Sequence, residues 1–150
     1  METENDNFVH DKDELKSVIN EKVQKMNKML FDLEKSVREK SSLWFVIANV
    51  QINLDIIAAN NLEDDDVMTD IKNLGKSIDV LSHCILGKIQ QLDKDAKNMG
   101  KVSLRKCIIR LKQNKLKKLA EKVDKIDCTY QVLIGSVEII KGIDQAENEA

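Results

Sequence analysis

The sequence predicts an all-α protein, an elongated antiparallel helical bundle or coiled coil of about four long helices. The chain of 150 residues has no proline, five glycines and 3% aromatic residues, so little interrupts a helix and a β-sandwich is disfavoured. Charged residues make up 33% and hydrophobic residues 42%, which suits helices that bury one stripe and expose the rest. Apolar residues also recur at alternating steps of three and four in several separate runs, which is the spacing of a helix seam.

The first helix is predicted over residues 11–40. Its apolar stripe consists of Ile19, Val23, Met26, Leu30, Leu33 and Val37. A capping-box pattern begins at Asp11, which leaves residues 1–10 as a disordered acidic N-terminus. The stripe does not continue in phase beyond "KSS", so we expect a turn there, with Ser41 or Ser42 as the next N-cap.

The second helix is predicted over residues 42–60, although its letters, "LWFVIANVQINLDIIAAN", resemble a strand or a membrane span as well. A half-buried strand is rejected because the sequence contains no second strand-like run to complete its ladder. A membrane span is rejected because it needs about 20 mostly apolar residues and several polar side chains would lie in mid-bilayer. Those side chains are Asn49, Gln51, Asn53 and Asp55. We therefore expect no transmembrane segment.

On a helix, this second segment carries two apolar stripes on opposite sides. The first stripe is Leu43, Val46, Ile47, Val50, Leu54 and Ile57, and the second is Phe45, Ala48, Ile52, Ile56 and Ala59. Two interpretations stay open. The helix lies at the centre of the bundle, or one stripe contacts its own chain while the other contacts a partner.

The third helix is predicted over residues 65–96, with a seam of Ile71, Leu74, Ile78, Leu81 and Ile85. The acidic run at 63–66 lacks the spacing of a calcium loop and is interpreted as favourable charge in a first helical turn. Gly100 is a C-terminal stop signal. Gly75, Gly87 and Gly135 lie inside the helical patterns and are interpreted as points of close helix approach.

The fourth helix, predicted over residues 102–143, has the most regular seam and leaves 144–150 as a disordered C-terminus. Residues 11–143 are therefore expected to form one helical domain. Because this helix is longer than a compact bundle of this mass needs, its seam is predicted to be a partner interface. The interface residues are Leu116, Leu119, Val123, Ile126, Tyr130, Leu133, Val137 and Ile140.

Lysine and arginine crowd the first part of the fourth helix, against only Glu121 and Asp124. Two interpretations stay open: a solvated face whose long lysine stems shield the apolar seam, or a face for an anionic partner, such as an anionic membrane surface or an acidic protein. The face consists of Arg110, Lys112, Lys115, Lys117, Lys118 and Lys122. Nucleic acid is disfavoured because no aromatic residues are interleaved with the cations and no binding motif is present.

We predict no catalytic, cofactor-binding or metal-binding residues and therefore no enzyme activity. His83 and Cys84 are adjacent, but neighbouring side chains on a helix diverge by about 100°, so they do not make a nucleophile and base pair. The sequence has no HExxH motif, glycine-rich phosphate loop or nucleophile elbow.

A reducing compartment is expected. The acidic opening, "METENDNFVHDKDELK", lacks the basic start and apolar middle of a signal peptide. Cys84, Cys107 and Cys128 are an odd number of widely spaced cysteines and are predicted to be buried thiols. We expect the protein to be cytoplasmic, with the nucleus as the alternative, and not secreted.

These features favour a non-enzymatic coiled-coil interaction protein, a small structural or scaffold subunit of a larger intracellular multiprotein complex. Its partners are expected to be other helical proteins or a second copy of itself. The alternative is a self-contained four-helix bundle that acts on membranes or lipids, through its apolar middle helix or its basic face.

Overall fold

The computed structural model describes residues 2–60, 66–100 and 104–149, with side chains described from Asp11 onward. Within these residues the chain forms four helices and no strand: α1 (Glu2–Lys35), α2 (Ser42–Ala59), α3 (Val67–Lys97) and α4 (Leu104–Glu149). The helices pack against each other, so the predicted all-α bundle is confirmed.

The connection between α1 and α2 begins earlier than predicted. α1 ends at Lys35 rather than near Lys40, whose φ of 62° lies in the left-handed region and is incompatible with a continuing helix. Ser41 then serves as the N-cap of α2, as expected from the sequence. Its Oγ accepts a hydrogen bond from the Trp44 backbone N–H at 3.3 Å.

The outer ends of α1 and α4 extend beyond the predicted limits. Residues 2–10 belong to α1 and residues 144–149 to α4, so these parts of the segments expected to be disordered are helical. Asp11 therefore lies inside α1 and is not its N-cap. Neither segment contains a proline, the residue that interrupts a helix most strongly.

α3 begins at Val67, close to the start predicted at residue 65. The acidic residues 63–65 lie outside the described residues, and Asp66 occupies the N-cap position without a side-chain cap hydrogen bond. At the other end, α3 stops at Lys97, and Gly100 has a φ of 60°. That conformation suits glycine and explains why the helix ends shortly before it.

The four helices form a closed ring. α1 and α3 each pack against both α2 and α4, whereas among the described residues no Cα atoms of α1 and α3, or of α2 and α4, lie within 8 Å of each other. Consecutive helices run antiparallel. The α4 residue Tyr130 meets Ile71 near the start of α3, and Arg110 meets Asp93 near its end. The topology is thus an up-down-up-down four-helix bundle.

Two contacts show how α4 closes the ring against α1. At one end Lys12 Nζ lies 2.9 Å from a Glu147 carboxylate oxygen and also contacts Asp144. At the other end Lys122 Nζ donates a hydrogen bond to Ser36 Oγ at 3.3 Å. The side-chain hydrogen bonds, first to Asp144 and then to Glu147, raise the pKa of Lys12 above its ordinary value.

One core runs through the ring, and each helix contributes an apolar stripe to it. The large side chains that are buried completely include Ile19, Met26, Leu30, Leu33, Ile47, Leu54, Ile71, Leu74, Ile78, Leu81, Ile85 and Ile126. They come from all four helices, so the helices are mutually dependent for their burial.

The hairpin formed by α3 and α4 projects beyond the end of α1. The hydrogen bond between Lys122 of α4 and Ser36 lies level with the end of α1. The part of α4 from Leu104 to Lys122 lies past that level and is about 27 Å long at 1.5 Å per residue. We call residues 89–97 of α3 and 104–118 of α4 the hairpin arm.

Candidate interaction surfaces

The α4 seam that was predicted to contact a partner is occupied by the chain's own core. Ile126 is 1% exposed and Leu133 is 0% exposed, and Leu116 is half-buried against the same core. The remaining seam residues are buried too: Leu119, Val123, Tyr130, Val137 and Ile140. These eight residues therefore do not form an open surface in this structure. A heptad pattern indicates that a stripe is buried, but it does not tell whether the covering helix belongs to the same chain or to a partner.

The two apolar stripes of α2 have different environments. The first stripe is buried, and Val50 at its centre is 0% exposed. In the second stripe, Phe45 and Ile52 are each 58% exposed and Ile56 is 42% exposed. Hence α2 is a corner helix of the ring and not its central helix. We call Phe45, Ala48, Ile52, Ile56 and Ala59 the α2 outer face.

Polar contacts on both sides of α2 explain which stripe turns inward. Gln51 Nε2 donates a hydrogen bond to Glu34 Oε2 of α1 at 3.1 Å. Asn60 Nδ2 donates to Asp70 Oδ2 of α3 at 2.6 Å. These bonds anchor α2 to α1 on one side and to α3 on the other, so the outer face points away from both neighbours.

The composition of α2 also meets the length and hydropathy criteria for a membrane span. Within the described residues it is the one such helix, with a mean hydropathy of 1.5 and 28% of its residues buried. A helix that contributes to a soluble core passes the same test, and Asn49, Gln51, Asn53 and Asp55 interrupt its apolar run.

The six residues predicted to form an anionic-partner face are all exposed, but they do not share one face. Arg110 turns toward α3, where its Nη1 donates a hydrogen bond to Asp93 Oδ1 at 3.1 Å. The other five side chains lie on the remaining surface of α4: Lys112, Lys115, Lys117, Lys118 and Lys122. Arg110 therefore has a structural contact within the arm and Lys122 has one to Ser36 of α1, whereas the other four lysines are exposed on α4.

A buried glutamine holds the hairpin arm together. Gln113 is 3% exposed, and its Nε2 donates a hydrogen bond to the Ile89 carbonyl at 3.1 Å. Arg110 Nη1 donates to Gln113 Oε1 at 2.7 Å as well as to Asp93, whose carboxylate also lies 2.9 Å from Lys97 Nζ. Sequence reasoning missed this residue. Gln113 follows Ile109 by four residues and precedes Leu116 by three, and this helical spacing indicates that it lies on the buried side of α4.

Titration of Asp93 tests this polar network. Hydrogen bonds from Lys97 first and Arg110 second lower the Asp93 pKa from 3.8 to about 2. Because the folded-state pKa is lowered, the contribution of the carboxylate to stability is present above the unfolded value and is lost as the pH falls toward 2. We expect the carboxyl carbon of Asp93 to titrate near pH 2 by NMR and Arg110→Gln to raise the midpoint.

The control for this titration is Lys76→Gln, which removes one exposed cation elsewhere on α3. It is expected to leave the Asp93 midpoint in place, since screening weakens charges more than about 10 Å away at 0.1 M salt. An Arg110→Gln midpoint equal to that of the unchanged protein would show that Arg110 does not hold this carboxylate.

His83 and Cys84 of α3 each have a contact of their own. His83 Nδ1 lies 2.7 Å from the Asp79 carbonyl oxygen on its own helix, and Cys84 packs against the core. Cys107 and Cys128 are exposed, so the expectation that all three thiols are buried was wrong for these two. Both occupy outward positions of α4. Among the described residues, no group of three or more His, Cys, Asp or Glu side chains is placed to hold a metal ion.

Comparisons of the chain with protein-family models, curated proteins and solved structures found no match.

Proposed function

We propose that this chain is a non-enzymatic interaction protein, a small bundle subunit that docks a helical partner protein on the α2 outer face within a larger intracellular complex. The observation that carries the proposal is the exposure of this face while the opposite stripe of the same helix is buried. A bundle helix needs one apolar stripe to join its core, so the second stripe has no role inside this chain.

The physical advantage of a partner lies in the apolar area that it covers. Complete burial of a Phe or Ile side chain stabilises a complex by about 1.5–3 kcal/mol relative to leaving it in water. Phe45 and Ile52 each have more than half of their surface available, at 58% exposed. Clusters of exposed apolar side chains are typical of protein interaction sites.

The shape and charge of the α2 outer face favour a helix as the partner element. Phe45, Ile52 and Ile56 lie along one side of α2 over about 16 Å, which equals three turns of a helix packed alongside. α2 carries a single charged residue, Asp55, and no cation. An apolar stripe on a partner helix suits this face better than an anionic surface does.

The test compares two pairs of substitutions in a tagged chain purified gently from its own cells. Ile52→Glu with Ile56→Glu places charge on the α2 outer face and keeps good helix-forming residues. Val132→Glu with Ile139→Glu is the matched control, because those side chains are 47% and 55% exposed on α4. Among the described residues no Cα atom of α4 lies within 8 Å of one in α2, so the control lies at the opposite corner of the ring.

The unchanged chain and the control pair are expected to elute with a stoichiometric helical protein, well above the 17.1 kDa of the chain. The α2 pair is expected to lose that protein while keeping its helical circular dichroism. A lone monomer, a complex of this chain with itself, or equal retention by both variants would contradict the proposal.

A further inference from the structure

A second exposed apolar stripe lies on the hairpin arm, at the beginning of α4. Leu104 is 79% exposed, Ile108 is 45% exposed and Leu111 is 63% exposed. Their spacing of four and three places them on one side of the helix. That side is turned away from α3, because the buried Gln113, which contacts α3, lies on the opposite side of α4.

The same side of α4 continues as a row of cations. Lys115 follows Leu111 by four residues and Lys118 follows Lys115 by three, so both extend the line of the apolar stripe. Between Leu104 and Lys118 the helix carries seven Lys and Arg residues and no Asp or Glu. This side of α4 thus combines large apolar side chains with positive charge, and the stretch from Leu104 to Lys118 has no acidic residue to offset it.

The position of the arm makes this side accessible to a flat surface. The α4 part of the arm, Leu104 to Lys118, is about 21 Å long at 1.5 Å per residue and lies past the level of Ser36, where α1 has ended. Its own hydrogen bonds keep α4 against α3: Gln113 reaches the Ile89 carbonyl, and Arg110 reaches Asp93. The apolar stripe can therefore contact a surface without unfolding the bundle.

We propose that this side of the arm binds the surface of an anionic phospholipid bilayer. Leucine and isoleucine on one side of a helix, bordered by lysine, form the pattern of a helix that lies in the membrane interface. Anionic head groups complement the lysines, and the acyl region accepts the three apolar side chains. A purely electrostatic ligand would leave Leu104, Ile108 and Leu111 without a role.

This inference goes beyond the proposed function and uses a different part of the molecule. The partner protein is assigned to α2, and the bilayer is assigned to α4 at the end of the arm. The chain has one tryptophan, Trp44, and it lies on α2. Its fluorescence therefore reports whether α2, rather than the arm, enters the lipid.

The test uses the full chain and vesicles of phosphatidylcholine, alone or with about one third phosphatidylserine to supply surface charge. Flotation is expected to recover the protein only with the anionic vesicles, and less of it as salt rises from about 0.1 M to 0.5 M. Changing Lys112, Lys115 and Lys118 to Gln is expected to weaken partitioning about 100-fold, since each cation contributes about fivefold.

Two controls match the change in charge and the change in apolar area. Lys25, Lys28 and Lys76, all exposed on α1 and α3, are changed to Gln together and are expected to leave partitioning within about twofold. Leu104→Ser with Leu111→Ser is expected to reduce partitioning at least about tenfold, because two apolar side chains are no longer buried in the lipid. Val132→Ser with Ile139→Ser is expected to change it little.

A tryptophan introduced on the arm tests directly whether the arm enters the lipid. In Leu111→Trp, anionic vesicles are expected to shift the added emission to shorter wavelength, while Trp44 in the unchanged chain keeps its spectrum. Failure of the unchanged chain to float with anionic vesicles would overturn the proposal. So would a shift of Trp44, equal loss with the control lysines, or binding that depends on lysine but not on Leu104 and Leu111. The last result would show that the lysines hold the chain on the vesicle surface by charge alone and that the apolar stripe does not enter the lipid.

Discussion

Replacing Ile126 with Asp is expected to unfold the bundle and not merely to release a partner from a folded chain. Ile126 is 1% exposed and lies in the core shared by all four helices. A carboxylate buried there without a partner charge costs about 3–5 kcal/mol or more. That amount is comparable to the entire stability of a small domain, about 5–15 kcal/mol.

The measurements are helical circular dichroism and urea unfolding of Ile126→Asp. The matched variant is Val132→Asp, on the same helix but 47% exposed, where a substitution is expected to change stability by about 0.5 kcal/mol. A folded Ile126→Asp protein with an unchanged unfolding midpoint would show that Ile126 is not needed in the core of the chain. That result would support the α4 seam as a partner interface.

Replacing Gly75 with Ala is expected to lower the free energy of unfolding by about 1–3 kcal/mol. The direction is unusual, since Gly to Ala inside a helix ordinarily stabilises by about 0.5–1 kcal/mol. A Cβ atom at Gly75 would lie 2.4 Å from Tyr130 Oη and 2.7 Å from Tyr130 Cζ. The ring cannot move aside easily, because Tyr130 is 7% exposed and its hydroxyl donates to the Ile71 carbonyl at 3.1 Å.

Gly87 provides the control on the same helix. A Cβ atom there meets nothing within 4 Å, so Gly87→Ala is expected to raise the free energy of unfolding by about 0.5–1 kcal/mol. Urea unfolding of both variants measures the difference in sign. Stabilisation by both substitutions would show that Tyr130 is not packed tightly against Gly75.

The apolar periodicity was enough to predict the four helices and most of the core. The stripes of α1 and α3 and the seam of α4 are buried as their spacing indicates. Ser41 was also recognisable as a cap, because a serine before an apolar run satisfies a free backbone N–H at a helix start. These features depend on residues close together in the chain, so local pattern is sufficient for them.

The candidate surfaces required more than periodicity. The α4 seam and the second stripe of α2 have the same kind of apolar spacing, yet Leu133 is 0% exposed and Ile52 is 58% exposed. The difference arises from which helices stand beside them in the ring. Similarly, Gly75 and Gly87 look equivalent in the sequence, and only the packing of Tyr130 distinguishes them.

The amino-acid sequence by itself determined that this protein is a bundle of amphipathic helices, because helix formation and the choice of buried stripe follow from residue type and spacing along one segment. The tertiary structure alone decided which apolar stripes stay exposed and which lysines remain open. Burial of a stripe depends on the neighbour that covers it, and that neighbour is set by how distant segments pack together.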